Sequence, residues 1–127
     1  MARKSTNRPT DVELRILRAL WQRGPSTVRE VQEELEQEAS TGYTTVLKML
    51  QIMTDKGLVE RDETQRAHVY MARQERSEVE TSLVDDLVER AFGGSASQLV
   101  LRALSRRRAS ADELAEIRQM LDEIEKE

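Results

Sequence analysis

Between Val46 and Met71 the hydrophobic period of the chain changes, and nothing else in its 127 residues constrains the fold as strongly. Val46, Met49, Leu50 and Met53 follow the i, i+3, i+4, i+7 spacing of one helix face. The stripe runs to Gly57, a residue suited to a left-handed helix cap. The next stretch, "LVERDETQRAHVYMAR", alternates with a period of two. It predicts a strand from Leu58 to Arg61 and another from Arg66 to Met71, with the polar "DET" as the hairpin tip. Ala67, Val69 and Met71 then face one way, and His68 and Tyr70 the other. A helix that feeds straight into a hairpin leaves few folds open.

Two shorter helices precede this junction. Thr10 and Glu13 form a capping-box pattern, in which the hydroxyl accepts from a backbone N–H and the carboxylate reaches back to the cap. Leu14, Leu17 and Trp21, flanked by Ile16 and Leu20, give that helix a wide apolar face before Gly24 and Pro25 stop it. Thr27 and Glu30 repeat the box ahead of Val28, Val31 and Leu35, and "EASTG" ends the second helix. Trp21, Met49 and Met53 read as core residues.

Helical spacing resumes at Glu75. Val79, Leu83, Leu87, Val88, Ala91 and Phe92 share a broad face as far as "GGS", and "SQLVLRALS" carries Leu99, Val100, Ala103 and Leu104. After "RRRAS", Ser110 and Glu113 supply a third capping box, followed by a seam of Leu114, Ile117, Leu121 and Ile124 that suits packing on another helix. Arg106 to Arg108 place positive charge at a helix end, where it complements the dipole. A monomer of this size would leave much of its apolar face uncovered, which favours a dimer built on Leu83, Leu87, Leu99, Leu114, Ile117, Leu121 and Ile124.

Charge and composition narrow the function. The net charge is −4, but residues 1–73 carry +1 and residues 74–127 carry −5, so the acidity is concentrated in the second part. Residues 1–8 form a basic arm, and five carboxylates between Glu30 and Glu38 crowd the second helix. No cysteine is present and His68 is the only histidine, which removes disulfides, thiolate zinc sites and cysteine nucleophiles. Asp85 and Asp86 are neighbours that diverge on a helix, and no serine-histidine-acid set or phosphate loop occurs. The composition therefore predicts no enzyme and no cofactor. With no span of roughly 20 apolar residues and no signal-peptide core, the expected location is the cytoplasm, without membrane insertion.

Three small helices and a hairpin have the element order of a winged helix-turn-helix, whose third helix enters the DNA major groove. Thr44, Lys48, Gln51 and Asp55 lie opposite Val46, Leu50 and Met53, with Thr45 beside Thr44. Hydroxyls and backbone N–H groups at a helix start can hold a phosphate, and a lysine one turn on can reach phosphate or a base edge. Arg61, Arg66 and His68 on the hairpin would approach a neighbouring backbone strand. The expected fold is mainly α (α+β). A winged-helix DNA-binding domain spans residues 1–73, and a helical dimerisation region of three helices spans residues 74–127.

"GYTTVLKMLQIMTDKGLVERD", "RAHVY" and "AFGGSASQLVLRAL" closely resemble the penicillinase-repressor family of the BlaI/MecI type, from about Pro9 to the C-terminus. The resemblance implies a bacterial repressor that binds dyad-symmetric double-stranded operator DNA as a homodimer. It puts Thr44, Thr45 and Lys48 on the recognition helix and Arg66 and His68 on the wing. It also implies inactivation under a membrane sensor protease, at an Asn-Phe bond just after a glycine. Aligned on "GGSASQLV", that bond falls between Ser95 and Ala96, and neither residue matches. The C-terminal cysteine pairs of the copper-responsive members are absent. Two alternatives remain open: a winged-helix protein-interaction module with a basic partner, and a repressor released by a small ligand.

Overall fold

A computed structural model describes residues 8–38 and 40–127; the expected basic arm, residues 1–7 in particular, lies outside the described residues. Among the described residues six helices and three short strands follow one another as α1 (Asp11–Arg23), β1 (Ser26–Thr27), α2 (Val28–Leu35), α3 (Tyr43–Lys56), β2 (Val59–Asp62), β3 (Val69–Ala72), α4 (Arg76–Ala91), α5 (Ala96–Arg106) and α6 (Ala111–Glu125). Two compact units result, residues 1–83 and residues 84–127. Their division falls inside α4.

The first unit is built on local helix signals. Thr10 Oγ1 accepts from the Glu13 N–H while the Glu13 carboxylate accepts from the Thr10 N–H at 2.8 Å. Thr27 and Glu30 do the same for α2. Gly24 takes φ +92° and its N–H donates to the Leu20 carbonyl, which ends α1. Gly57 takes φ +82°, the left-handed cap expected of it, and turns the chain from α3 into β2. Ile16, Leu17 and Leu20 of α1, Val28, Val31 and Leu35 of α2, and Val46, Leu50 and Met53 of α3 meet in one core that Leu58, Val59 and Tyr70 complete.

Trp21 and Met49 pack against this core while only partly buried. The indole N–H of Trp21 donates to the Gln74 carbonyl at 3.0 Å and ties α1 to the segment that enters α4.

The sheet is antiparallel in the order β1-β3-β2, with Ser26 opposite Tyr70 and Asp62 opposite Val69. β1 was not foreseen, because two residues carry no period. The hairpin is shorter than its alternating pattern. β3 begins at Val69 instead of Arg66, and residues 63–68 form the tip. The cause is local: the Asp62 carboxylate accepts from both the N–H and the hydroxyl of Thr64, which turns the chain away from the ladder. Of the two alternating faces, the one with Tyr70 is the core side.

Glu13 is only 2% exposed, and it does more than cap. Lys56, at the far end of α3, donates to its two carboxylate oxygens at 2.8 and 3.0 Å. Burial pushes the Glu13 carboxyl up, but the Lys56 ammonium and the Thr10 N–H outweigh it, and the net position is below the ordinary value of 4.5. The unfolded chain therefore binds this proton more readily, so the pair's stabilisation is full above pH 4.5 and is lost as pH falls through the lowered value. Glu13→Gln keeps a capping acceptor but removes the ion pair. In urea titrations at neutral pH the variant should lose about 1.5–3 kcal/mol, the range for a hydrogen bond to a charged group. An acid-unfolding midpoint that does not move would rule out this role.

Candidate nucleic-acid interface

The outward face of α3 follows from its inward one. With Val46, Leu50 and Met53 fully buried, Thr44, Thr45, Lys48 and Gln51 are all exposed on the other side. Thr44, Lys48 and Gln51 fall at i, i+4 and i+7, so they line one edge. Tyr43 and Ile52 are exposed as well, on opposite flanks of this edge.

The start of α3 differs from those of α1, α2, α5 and α6. Each of those has a serine or threonine N-cap whose side chain accepts from the first turn. The N-cap of α3 is Gly42, which supplies no side-chain acceptor. Its backbone, φ −71° and ψ 154°, is available to any residue, and a Cβ built there meets nothing within 4 Å. Neither conformation nor space calls for glycine, so its effect is to leave the first-turn N–H groups of an exposed helix without an internal cap. The Gln32 amide donates to the Thr41 carbonyl at 3.2 Å, anchoring the loop just before this start to α2.

Arg29, on α2, was not singled out by the sequence reading. Its guanidinium carbon lies 5.1 Å from the centre of the Tyr43 ring, which holds a cation beside the first turn of α3. The contact joins two helices across a loop, and no periodicity signals it. Arg23, the last residue of α1, is less available: it lies within 4 Å of Glu30, Glu33 and Glu34 of α2. That pairing partly neutralises the acidic face within the first unit.

On the wing the candidates separate. Arg61 lies in β2, where its Nε donates to Glu63 at 2.7 Å, and the Tyr70 hydroxyl and the Glu63 carboxylate both favour its charged form. Arg66 and His68 are exposed on the tip, outside both strands. Glu60, Asp62 and Glu63 place carboxylates among them, so the wing is mixed in charge.

In the second unit Ser95 is the N-cap of α5, accepting from the Gln98 N–H at 3.2 Å, and Ala96 is the first residue of that helix. Leu99, Leu114 and Ile117 are half-buried, as is Leu83 in the first unit, while Leu87, Leu121 and Ile124 are exposed. Val84, Val100, Leu101, Leu104 and Met120 extend the exposed apolar set, with Leu101 63% and Met120 64% accessible. Neither α5 nor α6 has a buried residue.

Three helices packed on a small winged sheet, with a polar helix face turned outward, define a winged-helix DNA-binding regulator of transcription. A profile of the penicillinase repressor family matches residues 9–123. The chain is 34% identical to the transcriptional regulator BlaI of Mycobacterium tuberculosis, over 91% of this chain and 83% of that protein. Identity to the penicillinase repressor of Bacillus licheniformis is 25%, over 90% and 89% of the two chains. Identity to the methicillin resistance regulatory protein MecI of Staphylococcus aureus is 19%, over 89% and 92%. The solved complex structure of hsRosR-S4 shares the fold with a TM-score of 0.55 at 22% identity, covering 95% of this chain and 94% of that one. The protein belongs to the penicillinase repressor family. It is a transcriptional repressor, not an enzyme. Among the described residues, no helix is long and apolar enough to cross a membrane.

The bare start of α3 yields a direct check. Gly42→Ser adds a side-chain cap at little cost, since serine and glycine N-caps differ by a few tenths of a kcal/mol. Thermal stability should be unchanged or slightly higher while DNA affinity drops, read by melting and by fluorescence anisotropy on the same sample. Unaltered affinity would show that the uncapped N–H groups make no contact with DNA.

Proposed function

We propose that the chain represses transcription as a homodimer on dyad-symmetric operators, each copy inserting α3 into a major groove. The supporting observation is the α3 edge, where Thr44, Thr45, Lys48 and Gln51 stand exposed beside an uncapped first turn. Thr44 and Thr45, with the first-turn N–H groups, hold a phosphate; Lys48 and Gln51 reach base edges. Arg66 and His68 meet the adjoining backbone from the wing tip, and Arg61 contributes once it leaves Glu63. In this reading residues 1–73 bind DNA and residues 74–127 dimerise.

Dimerisation is supported by the lack of any buried residue in α5 and α6, set against so many exposed leucines, valines and isoleucines. An apolar surface of this kind favours a partner copy. A two-fold dimer reads half-sites about 34–36 Å apart, or a multiple of that. Leu121→Asp should halve the mass seen by sedimentation equilibrium and abolish footprinting of a full palindrome. A wild-type chain that sediments as a monomer at micromolar concentration would exclude the dimer.

Lys48→Ala should weaken operator binding by about 1–3 kcal/mol if Lys48 reads a base, and should reduce the salt slope by about one if it meets phosphate. Footprinting DNA upstream of the chain's own gene, across a salt series, tests both the site and the function. A protected palindrome supports the repressor, whereas no protection at any salt favours an interaction module. The pairing of Arg23 with three glutamates speaks against that module, because it partly neutralises the acidic face a basic partner would need.

Control by a membrane sensor protease would act at the bond between Ser95 and Ala96. That bond opens α5, where the Ser95 hydroxyl accepts from Gln98, so a protease must first unwind this turn. Mass mapping after derepression distinguishes the routes: a fragment ending at Ser95 supports cleavage, and an intact chain supports release by a ligand.

A further inference from the structure

The run Arg106, Arg107, Arg108 has no role in the repressor reading, and none of its guanidinia is held in an ion pair within the described residues. It ends two residues before Ser110, so Arg107 and Arg108 stand three and two positions ahead of a hydroxyl. The backbone between them is not helical. Arg107 has φ −123° and ψ 130°, and Ser110 has φ −72° and ψ 167°, both extended. Arg107, Arg108 and Ser110 are exposed. An extended, accessible chain with two cations just upstream of a serine has the form that a protein kinase with an acidic substrate groove binds, through charge-assisted hydrogen bonds to the guanidinia.

A second serine provides an internal contrast. Ser105 also has an arginine three positions ahead, Arg102, but it lies inside α5 with its hydroxyl donating to the Arg102 carbonyl at 2.9 Å. For Ser105 the segment that carries its arginine is helical, so α5 must unwind before the two can be read in extended form; for Ser110 that segment is already extended, and only the first turn of α6 must open.

We propose that Ser110 is a phosphorylation site for a kinase that selects basic substrates, and that the phosphate bridges the arginine run to the first turn of α6. In the transfer, Ser110 Oγ attacks the γ-phosphorus of a nucleoside triphosphate and the new O–P bond forms. The bond to the β-γ bridging oxygen breaks, a nucleoside diphosphate leaves, and the hydroxyl proton passes to the kinase's base. The product carries about −1.5 to −2 charge at a helix N-terminus, two to four residues after three arginines, and both an arginine cluster and a helix N-terminus are surroundings in which a phosphate orders a segment. Ser110 now accepts from the Glu113 N–H at 3.1 Å and donates its own N–H to the Glu113 carboxylate at 2.8 Å. The phosphate retains the first bond and repels that carboxylate, replacing one arm of the capping box with contacts to the arginines.

The test uses the full chain with magnesium and a nucleoside triphosphate, and the catalytic subunit of a cyclic-AMP-dependent protein kinase as probe. Tandem mass spectrometry should place a single phosphate on Ser110. Incorporation should vanish in Ser110→Asn, which keeps a helix-capping side chain. It should slow by at least tenfold when Arg107 and Arg108 are both alanine, since two charge-assisted contacts are lost and each loss of about 1.4 kcal/mol is a factor of about ten. Hydrogen exchange at the first-turn amides of α6 should slow in the phosphorylated chain. The proposal is overturned by phosphate on Ser105 or another residue, by no incorporation, by an arginine-independent rate, or by exchange that is unchanged or faster. Operator binding is not read in this experiment, so its failure leaves the DNA-binding reading untouched.

Discussion

The buried carboxylate of Glu13 is the contact on which the geometry of the first unit depends. It accepts the N–H of Thr10 at the start of α1 and the ammonium of Lys56 at the end of α3, so one side chain joins the first turn of one helix to the last turn of another. A charge removed from water is costly unless it is paired and fully hydrogen-bonded, so α1 and α3 are held in the arrangement that supplies both partners. The buried Val46, Leu50 and Met53 fix which face of α3 points inward, and the ion pair tethers its last turn to the start of α1. The outward face of α3 is thereby specified from inside.

Local signals were legible in the sequence and distant ones were not. The three capping boxes involve residues three apart, and all three form as their spacing indicates. The stripe of Val46, Leu50 and Met53 and the turn at Gly57 were readable for the same reason, since the helical period and a positive φ each leave a mark on neighbouring residues. Glu13 and Lys56 are 43 residues apart, and Glu13 already had a sufficient role as a cap, so nothing marked it as the buried carboxylate of an ion pair with Lys56. β1 is too short to show a period, and the early end of the hairpin depends on a single Asp62 side chain.

For the interface the division is similar. The exposed edge of α3 can be deduced from its buried face, residue by residue. The state of each cation cannot: Arg61 is engaged by Glu63 two residues on, while Arg29 is held over Tyr43 from a different helix. Which charges are free to meet a polyanion is decided by neighbours in space. A net charge near zero over residues 1–73 therefore says little about this surface.

Trp21 is the only tryptophan, and its indole N–H is bonded to the Gln74 carbonyl. Tryptophan emission of this protein is consequently a single-locus signal, sensitive to whether α1 remains attached to the chain entering α4. The second unit contains no tryptophan at all and is optically silent in that channel, although it supplies much of the helical ellipticity. Emission and circular dichroism thus sample different parts of one short chain, and any offset between their melting curves measures how far the two units unfold independently.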